Sequence, residues 1–371
     1  MMKFDLKNIS SRFCVYGDYV SGQPYGTGHI NDTFAVTYNQ AGLEVRYILQ
    51  RINHFVFKDP VLLMGNVARV VDHIRQKLVS EGTQDVSRHV LTLIDTTDGA
   101  KFYQDSEGNV WRMYFFVEGA RTYDVLESLE QARLASQAFG QFQCQLADMP
   151  SPPLGETIPD FHNGPKRYQA FLEALKTDSC NRAASAKAEI DFLTANAGIF
   201  DVFPALVESG QIPVRITHND TKINNIMIDD QTGEAVCVID LDTVMPGLAL
   251  YDFGDIVRTT VSTGAEDEVD LSKVYAQPDR FEAIVKGYLA GAGRFLNQTE
   301  VDHLLHGGKM ITQMIGTRFL TDYLCGDQYF KVHRDGHNLD RCRTQFKLVQ
   351  SLIDQEDVMT HLVEKTAGEL R

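Results

Sequence analysis

Between Ile216 and Met227 the chain sets His218, Asn219, Asp220, Thr221, Lys222, Asn224 and Asn225 between apolar residues on both sides. An ordinary surface loop needs no such flanks, whereas a polar loop held rigidly against a core does. Within it Asp220, Lys222 and Asn225 keep the spacing D-x-K-x-x-N. Two short apolar runs, Ile223 to Ile228 and Val236 to Leu241, are split by the turn signal Asp229-Asp230-Gln231-Thr232-Gly233 and predict a hairpin. The second run carries Asp240 to a strand end, and period-two alternation puts Asp242 on the same face.

That inventory suits phosphoryl transfer to an alcohol. The reaction needs a carboxylate facing the attacking hydroxyl, hard oxygen ligands for Mg²⁺ on the nucleotide phosphates, and a cation for the group in flight. Asp220 is the candidate base, Asn225 and Asp240 the candidate ligands for Mg²⁺ (or Mn²⁺), and Lys222 the cation. The competing reading is that these Asp and Asn residues merely cap turns. Asp240, in register behind its own strand, weighs against it.

The rest of the chain divides unequally. Asp32 to Val36 and Val45 to Ile52 read as strands around the turn Asn39-Gln40-Ala41-Gly42, and a helix follows in which Val67, Val70, Val71, Ile74 and Leu78 recur at helical spacing. Two further strand candidates bracket Asp105 to Asn109 and end in Trp111 to Val117. From Leu126 onward the pattern is helical, apart from the one hairpin. The fold class is therefore α+β: a small β-rich lobe, then a larger, mainly helical one.

Composition narrows the function. Lys and Arg number 35 against 50 Asp and Glu, a formal charge of −15 that repels nucleic acid and anionic lipid. The six cysteines form no C-x-x-C pair, which argues against a zinc site or disulfide framework. No stretch has the apolar length of a membrane span, and the first residues lack a signal-like core, so the expectation is a reduced, soluble, cytoplasmic protein.

His218-x-Asp220-x-x-x-x-Asn225 followed by Val238-Ile239-Asp240 resembles the corresponding motifs of the aminoglycoside phosphotransferase/choline kinase superfamily, which has the bilobal protein-kinase-like fold. The resemblance implies a nucleotide-covering lobe over 1–118 and a catalytic and acceptor-binding lobe over 119–371, with ATP as co-substrate. His333-Arg334-Asp335 spells the protein-kinase triplet but has Asp340 where the Asn should stand, and reads as an exposed turn. Longer blocks, Tyr25 to Phe34, Tyr47 to Asn53, His218 to Asn225, Ile239 to Gly247 and Tyr251 to Arg258, resemble the N-acetylhexosamine 1-kinases within that superfamily.

Those blocks imply further roles. Gly26 and Gly28 would approach phosphate, although Asn31 holds the third glycine position of G-x-G-x-x-G. Arg51 would meet the α- and β-phosphates or else be a solvated strand-end charge; the helix Leu63 to Leu78 offers no Glu to pair with it, Asp72 being its one carboxylate. Asp252 would support the catalytic loop from behind, with Asp255 capping the next helix. His29, Arg318 and Tyr329 would contact an N-acetylhexosamine, with Arg318 and Asp322 as an i,i+4 pair; the same segment also reads as a core helix with one surface ion pair. The implied activity is phosphorylation of the anomeric hydroxyl of N-acetylglucosamine or N-acetylgalactosamine. A kinase for a cationic alcohol and a catalytically dead kinase-fold binding module are the alternatives.

Overall fold

The computed structural model describes residues 4–26, 30–123 and 128–370. Contacts gather Met1–Arg121, Asp148–Pro159 and Met227–Met245 into a first unit, and Thr122–Ala147, Asp160–Ile226 and Pro246–Arg371 into a second. The expected division into 1–118 and 119–371 puts 148–159 and the 227–245 hairpin in the second lobe, whereas these contacts group them with the first unit.

In the first unit a short helix, α1 (Leu6–Ser10), precedes β1 (Asp18–Pro24), β2 (Asp32–Gln40) and β3 (Leu43–Ile52). Ala41 and Gly42 take φ of +54° and +96°, the left-handed pair that a two-residue hairpin turn requires. Helix α2 (Pro60–Ser80) starts on the Asp59 side-chain cap with proline in its first turn, and it buries the predicted stripe from Leu63 to Leu78. Strands β4 (Tyr103–Gln104) and β5 (Val110–Phe115) complete an antiparallel sheet in the order β1-β2-β3-β5-β4.

The register sorts the two faces of this sheet. Phe34, Val36, Leu49, Trp111 and Met113 join Leu6 and Ile9 of α1 in one apolar core. Burying each such side chain is worth about 1.5–3 kcal/mol, which fixes the parity of every strand. The other parity carries Thr33, Gln50 and Arg112, linked by the pairs Thr33↔Gln50 and Gln50↔Arg112. A second small sheet pairs β6 (Ala120–Arg121) with Ile226–Asp229, which neighbours Ala235–Val238.

The second unit is helical, with principal segments Leu129–Leu146, Gly164–Thr177, Ala249–Thr260, Pro278–Ala292, Leu304–Leu324 and His337–Asp354. The first of these starts on the Ser128 side-chain cap; the start expected at Leu126 lies outside the described residues. Gly287 and Gly291 let Pro278–Ala292 sink onto Leu129–Leu146: a Cβ at either would lie 2.0 Å from the Arg133 carbonyl oxygen or 2.2 Å from that of Gln137. Among the described residues no single helix is long and apolar enough to cross a membrane.

Candidate active site

The polar loop is held from behind. Asp252, in the first turn of Ala249–Thr260, accepts hydrogen bonds from the backbone N–H groups of His218 (2.9 Å) and Asn219 (2.7 Å) and from Gln143 Nε2 (2.5 Å). Gln143 is itself set by the Tyr288 hydroxyl, 2.8 Å from its Oε1, so the close packing of two helices orients the carboxylate that orients the loop. Burial raises the Asp252 pKa, and His218, Gln143 and the two backbone donors offset part of that cost. The His218 ring is fully buried between Phe139 and Phe142. Asn219 stands at φ +64°, a conformation Asn tolerates better than most residues.

This frame presents Asp220. Its Oδ2 receives Asn225 Nδ2 at 3.0 Å and lies 3.1 Å from Lys222 Nζ. Asn225 Nδ2 also donates to the Asp220 carbonyl oxygen at 2.8 Å. Both of these side-chain donors sit on Oδ2. Burial pushes the Asp220 carboxyl up, but Lys222 and then His218 outweigh it and hold the group below the usual carboxylate range. With its amide nitrogen turned to Asp220, Asn225 keeps Oδ1 as its outward oxygen, the atom type a Mg²⁺ ion would take. Asp255, expected as a helix cap, instead lies inside Ala249–Thr260 and accepts from Arg258 Nε at 2.7 Å, because the helix begins at Ala249.

The second carboxylate belongs to the first unit. The strand ends at Val238, and Asp240 follows at φ +60°, leading into a short 3₁₀ turn at Leu241–Thr243. The chain is no longer extended there, so the same-face expectation for Asp240 and Asp242 fails. Asp242 is buried and paired with Arg112 of β5, which also donates from Nε to Gln50 Oε1 at 3.0 Å. Asn31 Nδ2 adds a bond to Asp242 Oδ2 at 2.8 Å, and the Thr157 hydroxyl donates to the Asp242 carbonyl oxygen at 2.7 Å. Arg112 feels Asp240 as well: burial works against its charge, but Asp242, Tyr114 and Asp240 together raise its pKa. Sequence reading passed over Arg112, although a lone charge inside the apolar run Val110 to Phe115 was a signal.

Arg51 has different partners. It is paired across strands with Asp32, donates to Asn109 Oδ1 at 3.1 Å, and stands 5.2 Å from the ring centre of Phe4. That is the parity of Leu49 and Trp111, opposite to Gln50 and Arg112, so the structure brings Arg112 and not Arg51 to Asp242. Gly26 has the left-handed φ of +77° with open space where a Cβ would be. Gly28 and His29 lie outside the described residues.

Among the residues expected to contact an acceptor, Arg318 does not pair with Asp322. Asp322 accepts from the backbone N–H groups of Gln328, Tyr329 and Phe330 and from Asn338 Nδ2, and so folds the loop that carries Tyr329. Arg318 Nη2 lies 3.3 Å from the Tyr329 hydroxyl, and its guanidinium is 5.4 Å from the ring centre of Phe330 and 5.8 Å from that of Phe161. The next residue, His162, holds Nε2 at 2.8 Å from the Asn219 carbonyl oxygen, which links this cluster to the residue before Asp220. Phe161 and His162 were not singled out from sequence, since nothing in their spacing points to Asp220. The His333-Arg334-Asp335 triplet is an exposed turn, as its spacing predicted.

The family model of the phosphotransferase enzyme family (APH) matches residues 21–284. Solved structures agree on the fold. An aminoglycoside phosphotransferase from Alicyclobacillus acidocaldarius is 12% identical with a TM-score of 0.59, over 100% of this chain and 97% of that one. A microcompartment-associated aminopropanol kinase gives 14% identity and a TM-score of 0.57, over 95% and 97%. A choline kinase from Cryptosporidium parvum gives 13% and 0.55, over 94% and 91%. The α+β architecture, an antiparallel-sheet unit and a helical unit, is that of these small-molecule kinases. With a family model spanning most of its length and a buttressed Asp220 inside the matched region, this chain belongs to the APH phosphotransferase enzyme family.

Proposed function

We propose that the chain is an ATP-dependent sugar kinase that phosphorylates the anomeric 1-hydroxyl of an N-acetylhexosamine. In this reading the 1-hydroxyl oxygen attacks the γ-phosphorus, the bond to the β,γ-bridging oxygen breaks, ADP leaves, and the proton passes to Asp220 Oδ1. Lys222 keeps Asp220 ionised and offsets charge on the phosphoryl group in flight. Asn225 Oδ1 and the Asp240 carboxylate would hold Mg²⁺, which would draw charge from the nucleotide phosphates; their donor set is oxygen only, as Mg²⁺ prefers. Gly26 and Gly28 belong to the phosphate-covering turn, and His29 to the acceptor side.

The observation that carries the choice of acceptor is Arg318, a guanidinium among Tyr329, Phe330 and Phe161 with its polar contact to a hydroxyl and not to a carboxylate. A cationic alcohol calls for an aromatic cage or carboxylates without a nearby guanidinium. A pyranose calls for ring faces and charged donors to its oxygens, which this cluster supplies. The related solved kinases above are named for aminoglycoside, aminopropanol and choline; the reading for this chain departs from them on Arg318. A dead binding module is disfavoured by the presence together of Asp220, Asn225 and Asp240.

A coupled assay of ADP release across N-acetylglucosamine, N-acetylgalactosamine, choline and an aminoglycoside tests the reading. The acetamido sugars should turn over fastest, and the 1-O-methyl glycoside of N-acetylglucosamine should be inert. Phosphorylation of that glycoside would refute the anomeric assignment, and a preference for choline or the aminoglycoside would refute the sugar.

A further inference from the structure

Beside Arg318 stands a second guanidinium that the reading above does not use. Arg167, near the start of Gly164–Thr177, donates from Nη2 to the Phe161 carbonyl oxygen at 3.2 Å. Arg318 lies against the ring of the same residue, so Phe161 has one guanidinium at its backbone and another at its side chain. Asp160, the acid nearest to Arg167 in sequence on the N-terminal side, is taken by Lys166. Among the described residues neither arginine forms an ion pair, and Arg167 Nε is buried with no hydrogen-bond partner.

Burial lowers the pKa of both arginines, and the charge of Arg167 lowers that of Arg318 further. Burial likewise pushes His162 down to about 3, with Arg318 and Arg167 acting in the same direction, so the ring adds no third charge near neutral pH. A guanidinium that loses water normally recovers the loss from a carboxylate. Asp160 and Tyr329 offset part of that cost for Arg167 without an ion pair. Two guanidiniums on one phenylalanine, each without a paired carboxylate, make a place that repels an ammonium and accepts an oxygen lone pair.

We infer that Arg167 and Arg318 form a two-guanidinium subsite for a carbonyl or anionic oxygen of the acceptor, and that Arg167 determines specificity against amine-bearing alcohols. The identification of that oxygen as an acetamido carbonyl rests on the sugar-kinase reading; the choice of oxygen over ammonium does not.

Steady-state kinetics at saturating ATP on N-acetylglucosamine, glucosamine, glucuronate and choline test this, with wild type, Arg167→Gln and Arg167→Lys, each checked by thermal melting. Arg167→Gln should raise the acceptor KM about 10-fold or more, the scale of one lost charged hydrogen bond, with kcat and the KM for ATP little changed. It should also narrow the preference for N-acetylglucosamine over glucosamine. Arg167→Lys, which keeps the charge and the stem, should still reject glucosamine while showing a raised acceptor KM, and it carries the test if the glutamine variant melts early. An ammonium-bearing best acceptor, or unchanged acceptor KM in both variants, would overturn the subsite. Preference for glucuronate with KM still dependent on Arg167 would support the subsite and overturn the N-acetylhexosamine assignment alone.

Discussion

The Arg112 guanidinium closes on both carboxylate oxygens of Asp242, 130 residues away in sequence, and each side chain is no more than 2% exposed. Asn31, the residue before β2, donates to the same carboxylate. The pair therefore ties three separate segments of the first unit together at the backbone just past Asp240. Arg51, the strand cation for which the helix Leu63 to Leu78 offers no Glu, pairs instead with Asp32.

Removing one member of this pair leaves an uncompensated buried charge. Arg112→Met should cost about 3–5 kcal/mol of stability, while the double variant Arg112→Met/Asp242→Leu should cost less than the sum of the two single changes. Urea unfolding of the four proteins measures the coupling. Additive losses would mean that the two charges do not depend on each other.

On the proposed reading Asp220→Asn removes the base while keeping the shape and an oxygen that can accept from Asn225. Turnover should fall by about 10²-fold or more, the scale of positioned acid–base catalysis, with nucleotide affinity nearly intact. A variant that turns over near the wild-type rate would take Asp220 out of the chemistry.

Asp240→Ala should weaken binding of Mg²⁺·ATP, and chelation of divalent ions should stop phosphoryl transfer in the wild type. Metal-dependent nucleotide binding followed by calorimetry is the readout. An unaltered affinity for Mg²⁺·ATP in Asp240→Ala would remove that residue from the metal site.

His162 gives a pH dependence of known sign. Its pKa is pushed from 6.5 down to about 3 in the fold, chiefly by burial. Between those values the unfolded chain binds a proton that the native chain refuses, so stability is full above pH 6.5 and falls as pH drops towards 3. His306, lowered to about 4 mainly by burial, acts in the same direction. His162→Gln keeps a donor for the Asn219 carbonyl and removes one titration, so its unfolding midpoint should depend less on pH between 7 and 5. Identical slopes for variant and wild type would count against a buried neutral His162.

Much of this molecule was legible before folding was considered. Asp220, Asn225 and Asp240 stand out as candidates through local spacing, because the polar loop and the hairpin after it are built from near neighbours in sequence. The β2–β3 hairpin and the α2 stripe were legible for the same reason: two-residue turn chemistry and helical periodicity act over a few residues. What the sequence could not assign is which distant side chain meets which. Arg51 and Arg112 are both single cations on strands, and only the parity set by burying Leu49 and Trp111 sends one to Asp32 and the other to Asp242. Asp322 looked like a helical partner for Arg318 at i,i+4, yet three backbone donors of the following loop claim it first. His162 meets Asn219, and Phe161 meets Arg167 and Arg318, through tertiary packing alone. Short-range spacing is written in the chain, whereas partners that depend on long-range burial exist only once the core has decided which faces point inward.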